Sequence, residues 1–148
     1  MSTDIVLRVD VDAPPEAVFA AALDWERQGE WMFGTRVRVV AGDGRSVGSE
    51  VAATTGIGPL GVTDTMRVTA WDPPRRCEVV HTGRIVRGSA VFAVEPRGRG
   101  STFIWSEHLD LPLGAVGRLG FRVVRPAFTW GLARSLNSFA EFARNYPR

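Results

Sequence analysis

The stretch Phe121-Arg-Val-Val-Arg-Pro-Ala-Phe-Thr-Trp-Gly-Leu-Ala-Arg-Ser-Leu-Asn-Ser-Phe-Ala-Glu-Phe142 decides how the chain folds. Its large apolar side chains step as Phe121, Val124, Phe128, Leu132, Leu136, Phe139 and Phe142, at gaps of three and four. That spacing lines them up along one stripe of an α-helix. Arg118, Arg122, Arg134, Glu141 and Arg144 fall mostly at the edges of the stripe or on the far side. Such a helix requires a large apolar partner. Pro126 lies inside it and removes a backbone donor, so a kink is expected near Arg122–Arg125. Trp130 projects roughly opposite the stripe, either exposed or turned inward by the kink.

The residues upstream supply the partner. Ile5–Asp12 alternates Ile5, Leu7, Val9 and Val11 with polar neighbours and reads as a half-buried strand. Ala13-Pro-Pro-Glu16 ends it and opens a helix, because proline suits the first helical turn. Val18, Phe19 and Ala22 form that helix's apolar face. Asp24-Trp-Glu26 suggests a second short helix, broken near Gly29. Strand signals follow over Arg36–Ala41, Ser49–Thr55, Gly61–Trp71, Arg76–Gly83, Ile85–Glu95 and Ser101–Leu111. Gly42-Asp-Gly44, Asp72-Pro-Pro74, Gly83 and Pro96-Arg-Gly-Arg-Gly100 punctuate them with turn chemistry. Strands in succession without intervening helices argue for antiparallel neighbours. The closing helix is expected to begin after Pro112.

At 148 residues, with no linker or repeat, the chain reads as a single domain over 1–148. No window reaches the ~18 uncharged apolar residues of a membrane span, so stable membrane insertion is not expected. Met1-Ser-Thr-Asp4 lacks the features of a signal peptide, which points to the cytoplasm. The one cysteine, Cys77, excludes an intramolecular disulfide and a cysteine-cluster zinc site, and its mid-strand place suggests a buried small apolar residue. All 18 basic residues are arginine, scattered among 16 acids. Without a concentrated basic face, nucleic-acid binding is not expected.

A family resemblance rests on several short patterns in order. They are Val9-x-Val11-x-Ala13-Pro14-x-Glu16-x-Val18-Phe19, the span Trp25 to Trp31, Val68-x-x-Trp71-x-Pro73-Pro74-Arg75, and Gly100-Ser101-Thr102-x-x-Trp105 before the final helix. Together they resemble the START/Bet v 1-like (SRPBCC) superfamily, in its polyketide cyclase/dehydrase-like branch, over essentially the whole chain. The resemblance implies an α+β helix-grip fold: a curved seven-stranded antiparallel sheet around a long C-terminal helix, with two short helices after strand 1. It also implies a hydrophobic ligand cavity between sheet and helix, but no catalytic motif.

Strand periodicity nominates the polar residues of that interior. Asp64 shares a face with Met66, Val68 and Ala70; His81 shares one with Cys77 and Val79. Glu107 shares one with Phe103, Trp105, Leu109 and Leu111. Asp64, His81 and Glu107 are thus aimed at the helix, where each needs a partner, water or ligand. They are candidates for general acid–base chemistry, or for one structural pair such as His81 with Glu107. Trp31, Phe33, Met66, Trp71, Trp105, Phe121, Val124 and Phe128 are the candidate ligand-binding residues. Arg84 or Arg87 could reach a ligand carboxylate. His108 faces away from Glu107's side and is expected to be exposed. The two histidines lack ligand spacing, so no metal is expected.

Gly56-x-Gly58-x-x-Gly61 matches a dinucleotide fingerprint in letters only, because a strand rather than a helix follows it; no cofactor is expected. Gly42–Gly48 occupies the place of a glycine-rich loop found in plant members of the superfamily, and a plain turn explains it equally. The resulting expectation is a protein that binds a hydrophobic small molecule (a lipid, polyketide or aromatic metabolite). The alternative is a polyketide cyclase or aromatase using Asp64, His81 and Glu107. Either form is compatible with a monomer or homodimer.

Overall fold

β1 (Ser2–Val11) ends shortly before Pro14, which has no backbone donor for a ladder and takes the extended backbone of the residue that caps α1 (Pro15–Ala22). A 3-10 segment over Trp25–Glu30 completes the short helical pair. Six strands follow: β2 (Thr35–Ala41), β3 (Glu50–Thr55), β4 (Val62–Asp72), β5 (Arg76–His81), β6 (Arg87–Arg97) and β7 (Gly100–Asp110). α2 (Gly114–Arg144) closes the chain and continues on both sides of Pro126. The computed structural model describes residues 2–56, 58–84, 86–110 and 114–147. Ile57, Ile85, Leu111 and Pro112, which belong to predicted connections and strand ends, lie outside the described residues.

The strands form one seven-stranded antiparallel sheet in the order β1-β7-β6-β5-β4-β3-β2. Successive strands from β2 to β7 pair with their chain neighbours, and β1 crosses to the free edge of β7. The sheet's inner face carries Val51, Met66, Val68, Cys77, Val79, Phe92, Phe103 and Trp105, all buried. α1 and the 3-10 segment cover one end of that face through Val18, Phe19 and Trp25. Trp25 also donates its indole N–H to the Gly44 carbonyl at 2.8 Å, which fastens the 3-10 segment to the β2–β3 turn.

One predicted face is corrected. Val68 pairs with Val79, but Ala70 pairs with Glu78, so β4 carries an extra residue between them. A bulge of this kind flips the side-chain alternation beyond it. Ala70 therefore leaves the inner face, and Trp71 takes it opposite Cys77.

α2 packs its C-terminal half into the core. Leu136 and Phe139 are buried, and the Phe139 ring lies 4.7 Å from Trp31 and 4.5 Å from Phe103 between centroids. Toward its N-terminus the helix leaves the sheet's side chains: Val124 is 54% and Phe128 38% exposed. The gap beneath that half is the cavity.

Candidate functional site

The sheet builds a polar cluster from three strands that do not all adjoin. Asp64 comes from β4, His81 from the end of β5, and Glu107 from β7, with β6 lying between the last two. His81 is paired in register with Gly88 of β6, and Glu107 with Ala90. Two small residues on the intervening strand leave the space above it open, so the imidazole reaches the carboxylate across it. Gly88 is fixed by its backbone as well, since its φ is 115° and a Cβ there would lie 1.9 Å from the His108 carbonyl oxygen.

The His81 ring bridges two carboxylates. Its Nδ1–H donates to Asp64 Oδ2 at 2.7 Å and its Nε2–H donates to Glu107 Oε2 at 3.1 Å. Donation from both nitrogens requires the imidazolium. Burial works against that charge, but the hydrogen bonds to Asp64 and Glu107, with their negative charges, outweigh it and raise the pKa from 6.5 to about 9. The Trp105 indole N–H donates to Glu107 Oε1 at 3.1 Å, so both oxygens of Glu107 are engaged. Asp64 Oδ1 is buried and has no partner; Trp31 Nε1 is the other such side-chain atom among the described residues. The two carboxylates sit on opposite ring nitrogens and do not converge on one point, so the arrangement is a bridge rather than a metal-binding set.

This cluster lines a cavity of about 560 Å³ between the sheet and α2. Its apolar walls are Met66, Phe92, Trp105 and Leu109 on the sheet, Met32 in the connection before β2, and Phe121, Val124, Phe128 and Leu132 on the helix. Phe33 stands at the mouth, 63% exposed, with its backbone N–H held by Ser135 Oγ at 2.9 Å. Its ring meets the exposed Trp130 edge-on at 6.5 Å.

Of the predicted ligand-binding residues, Phe33, Met66, Trp105, Phe121, Val124 and Phe128 line the cavity. Trp31 and Trp71 do not. Trp31 is 2% exposed and wedged among Phe103, Trp105 and Phe139, where no space remains. Trp71 follows the β4 bulge to the other end of the sheet, where Phe19 of α1 covers it edge-on at 5.1 Å. It borders a separate cleft with Pro73, Pro74 and Tyr146. Arg87 reaches the cavity lining. Gln28, Thr35, Ala53 and Thr55 also line it and were not singled out from sequence. The alternation of β3 carries a signal for Ala53 and Thr55, whereas Gln28 is placed by the irregular 3-10 turn.

The other candidates fall elsewhere. His108 is exposed and pairs with Asp4 on the outer face. Cys77 is fully buried, and burial pushes its thiol up to about 12, which leaves it a poor nucleophile. Gly56–Gly61 connects β3 to β4 and is followed by strand, without the helix N-terminus that would receive a pyrophosphate. Asp43 braces the Gly42–Gly48 turn by accepting from the Arg45 N–H at 2.8 Å and the Ser46 hydroxyl at 2.9 Å.

No curated protein matches the chain significantly by sequence. Solved structures do. A Thermus thermophilus protein, TTHA0849, superposes with a TM-score of 0.80 at 17% identity, over 95% of this chain and 97% of that one. The Zhui aromatase/cyclase of Streptomyces sp. R1128 gives 0.79 at 14% identity, covering 97% and 94%. Norcoclaurine synthase of Thalictrum flavum gives 0.68 at 16% identity, covering 97% and 94%. At these identities the likeness establishes the Bet v 1-like helix-grip fold. The family described as polyketide cyclase / dehydrase and lipid transport matches residues 2–143. The chain belongs to that polyketide cyclase/dehydrase and lipid transport family.

Proposed function

We propose that this protein binds an apolar small molecule, of lipid, polyketide or aromatic type, between the sheet and the first half of α2. The observation that carries this reading is the cavity of about 560 Å³, walled mainly by apolar side chains, with Asp64, His81 and Glu107 meeting in one part of its lining. A greasy pocket of this size with a few convergent polar groups is the usual design of a ligand site. The polar end of the ligand lies against the cluster. Asp64 Oδ1, buried without a donor, favours a ligand that carries a hydroxyl or another hydrogen-bond donor.

Native mass spectrometry of the purified protein, with titration by Nile red, tests the reading. A co-purifying molecule or saturable one-to-one dye binding is expected. Neither signal, with the protein folded, would sink it.

The His81 bridge favours a second reading, acid–base cyclisation. Both ring nitrogens are spent on carboxylates, so His81 acts as a positioning residue and a carboxylate touches the substrate. Asp64 is the better base because one of its oxygens is unbonded. It takes a proton from carbon beside a carbonyl, the enolate attacks a second carbonyl of the same chain, and the proton returns to the new alkoxide. On a poly-β-ketone substrate, Asp64→Asn is expected to abolish turnover and Glu107→Gln to lower it with the fold intact. Unchanged turnover in both variants would reject this second reading and leave binding untouched.

A further inference from the structure

The first half of α2 carries a second apolar stripe that the sheet does not explain. Val116, Leu119, Val123, Pro126 and Trp130 are spaced three, four, three and four residues apart, so they align along the helix. They point away from Phe121, Val124 and Phe128, which line the cavity. Val123 is 75%, Val116 71%, Leu119 64% and Trp130 59% exposed. Surface apolar residues are ordinary when scattered; an aligned row of them is not.

Arginines flank this stripe. Arg118, Arg122 and Arg125 form a parallel row at gaps of four and three, and Arg134 follows beside Trp130 with its guanidinium 5.5 Å from that ring. Between Gly114 and Ala140 there are four arginines and no acid, whereas the rest of the chain holds 14 basic and 16 acidic residues. The positive charge of the molecule is therefore concentrated on this helix. Arg122, Arg125, Pro126, Thr129 and Trp130 border a shallow groove on the same face. Trp130 also touches Phe33 at the cavity mouth, so the stripe and the mouth adjoin.

We propose that this face docks reversibly on an anionic lipid bilayer, with α2 lying along the interface and the cavity mouth beside it. Charge complementarity selects the occupant. A second copy docking antiparallel through a two-fold axis across the helix would bring the two arginine rows against each other. A folded acidic protein matches the charge but needs a shaped counterpart to one convex helix, and a bilayer needs none. An interfacial helix has this composition: arginines at headgroup level, short aliphatics below them, and a tryptophan at the boundary. The proposal stands independently of what occupies the cavity.

Sedimentation of the protein with vesicles tests it, using phosphatidylcholine alone and phosphatidylcholine with about a third phosphatidylglycerol. Binding to the anionic vesicles only is expected, weakening as salt rises. Bromolipid should quench tryptophan emission through Trp130, because Trp25, Trp31 and Trp105 are buried and the half-buried Trp71 borders the separate cleft at the other end of the sheet. The triple variant R118Q/R122Q/R125Q should weaken partitioning roughly 100-fold, and Trp130→Ser should remove the quenching. These side chains are exposed, so melting curves should match wild type, and Nile red binding without vesicles reports separately on the cavity. Absence of binding at low salt, or equal binding by the triple variant, would overturn the proposal. So would a concentration-dependent dimer that the same substitutions dissolve, or capture of an acidic protein by a chain that ignores vesicles.

Discussion

The two halves of α2 share one sequence pattern and occupy two environments. In the C-terminal half, Leu136, Phe139 and Ala143 are buried against Trp31, Phe103 and the rest of the aromatic core. In the half from Gly114 to Gly131 no residue is buried, although Phe121, Val124 and Phe128 continue the same stripe. What lies opposite makes the difference. Beneath Phe139 the rings of Phe103 on the sheet and Trp31 after the 3-10 segment fill the space. Beneath Phe128 it presents Asp64, His81 and Glu107, which meet one another rather than the helix. Amphipathic spacing thus specifies which way a helix faces; the shape and polarity of the facing surface decide whether contact follows.

Substitutions along the helix should break or sharpen this contrast. The largest effect is expected from Phe139→Ala, which opens a cavity in the packed half and should cost about 4 kcal/mol in urea unfolding. Phe128→Ala, over the open half, should cost about 1 kcal/mol or less, since that side chain is already 38% exposed. Similar losses at the two sites would erase the distinction.

The next effect lies in the polar floor. The rise of the His81 pKa from 6.5 to about 9 corresponds to about 3 kcal/mol of stability. Because the folded-state pKa is the higher one, the folded state holds the proton more tightly. The contribution is complete below pH 6.5, declines above it and is gone once the pH has risen through about 9. Unfolding measured between about pH 6 and 10 should show that decline, and His81→Gln should flatten it. A wild-type protein with no loss of stability across this window would remove the charged bridge.

A smaller effect, of opposite sign for stability and binding, is expected at Gly131. A Cβ there meets nothing within 4 Å, and the residue lines the cavity. Gly131→Leu should raise stability by about 1 kcal/mol through helix propensity. It should weaken Nile red binding at least about tenfold by occupying the pocket. Parallel losses of stability and binding would mean that this half is core after all. The smallest change is expected from Val123→Ser on the outward stripe, within about 0.5 kcal/mol by thermal melting.

Much of the fold was legible because strands and helices write their periods into the chain. The six later strands begin within two residues of their expected starts, and the closing helix follows them. Asp64, His81 and Glu107 were nominated by alternation alone, since period two fixes a face whatever the tertiary setting. Alternation failed at Ala70, where the β4 bulge inserts a residue and no glycine or proline marks it. Trp31 and Trp71, named for the cavity as interior aromatics and not by alternation, do not line it. An inward aromatic reads the same whether α1, α2 or empty space lies above it, and sequence carries no measure of that gap. Gln28 was missed because its place depends on a 3-10 turn anchored through Trp25 and through its own amide, which donates to the Ala22 carbonyl at 2.8 Å.

The sequence alone determined the order of elements, their antiparallel pairing and the face on which each ionisable group stands, because these follow from local periodicity and turn chemistry. Only the tertiary structure decided that His81 joins two carboxylates across β6, where Gly88 and Ala90 leave room for the ring. It alone decided that half of α2 stands clear of the sheet. Both outcomes depend on how closely distant surfaces approach, a distance set by the packing of the whole core and by no single segment.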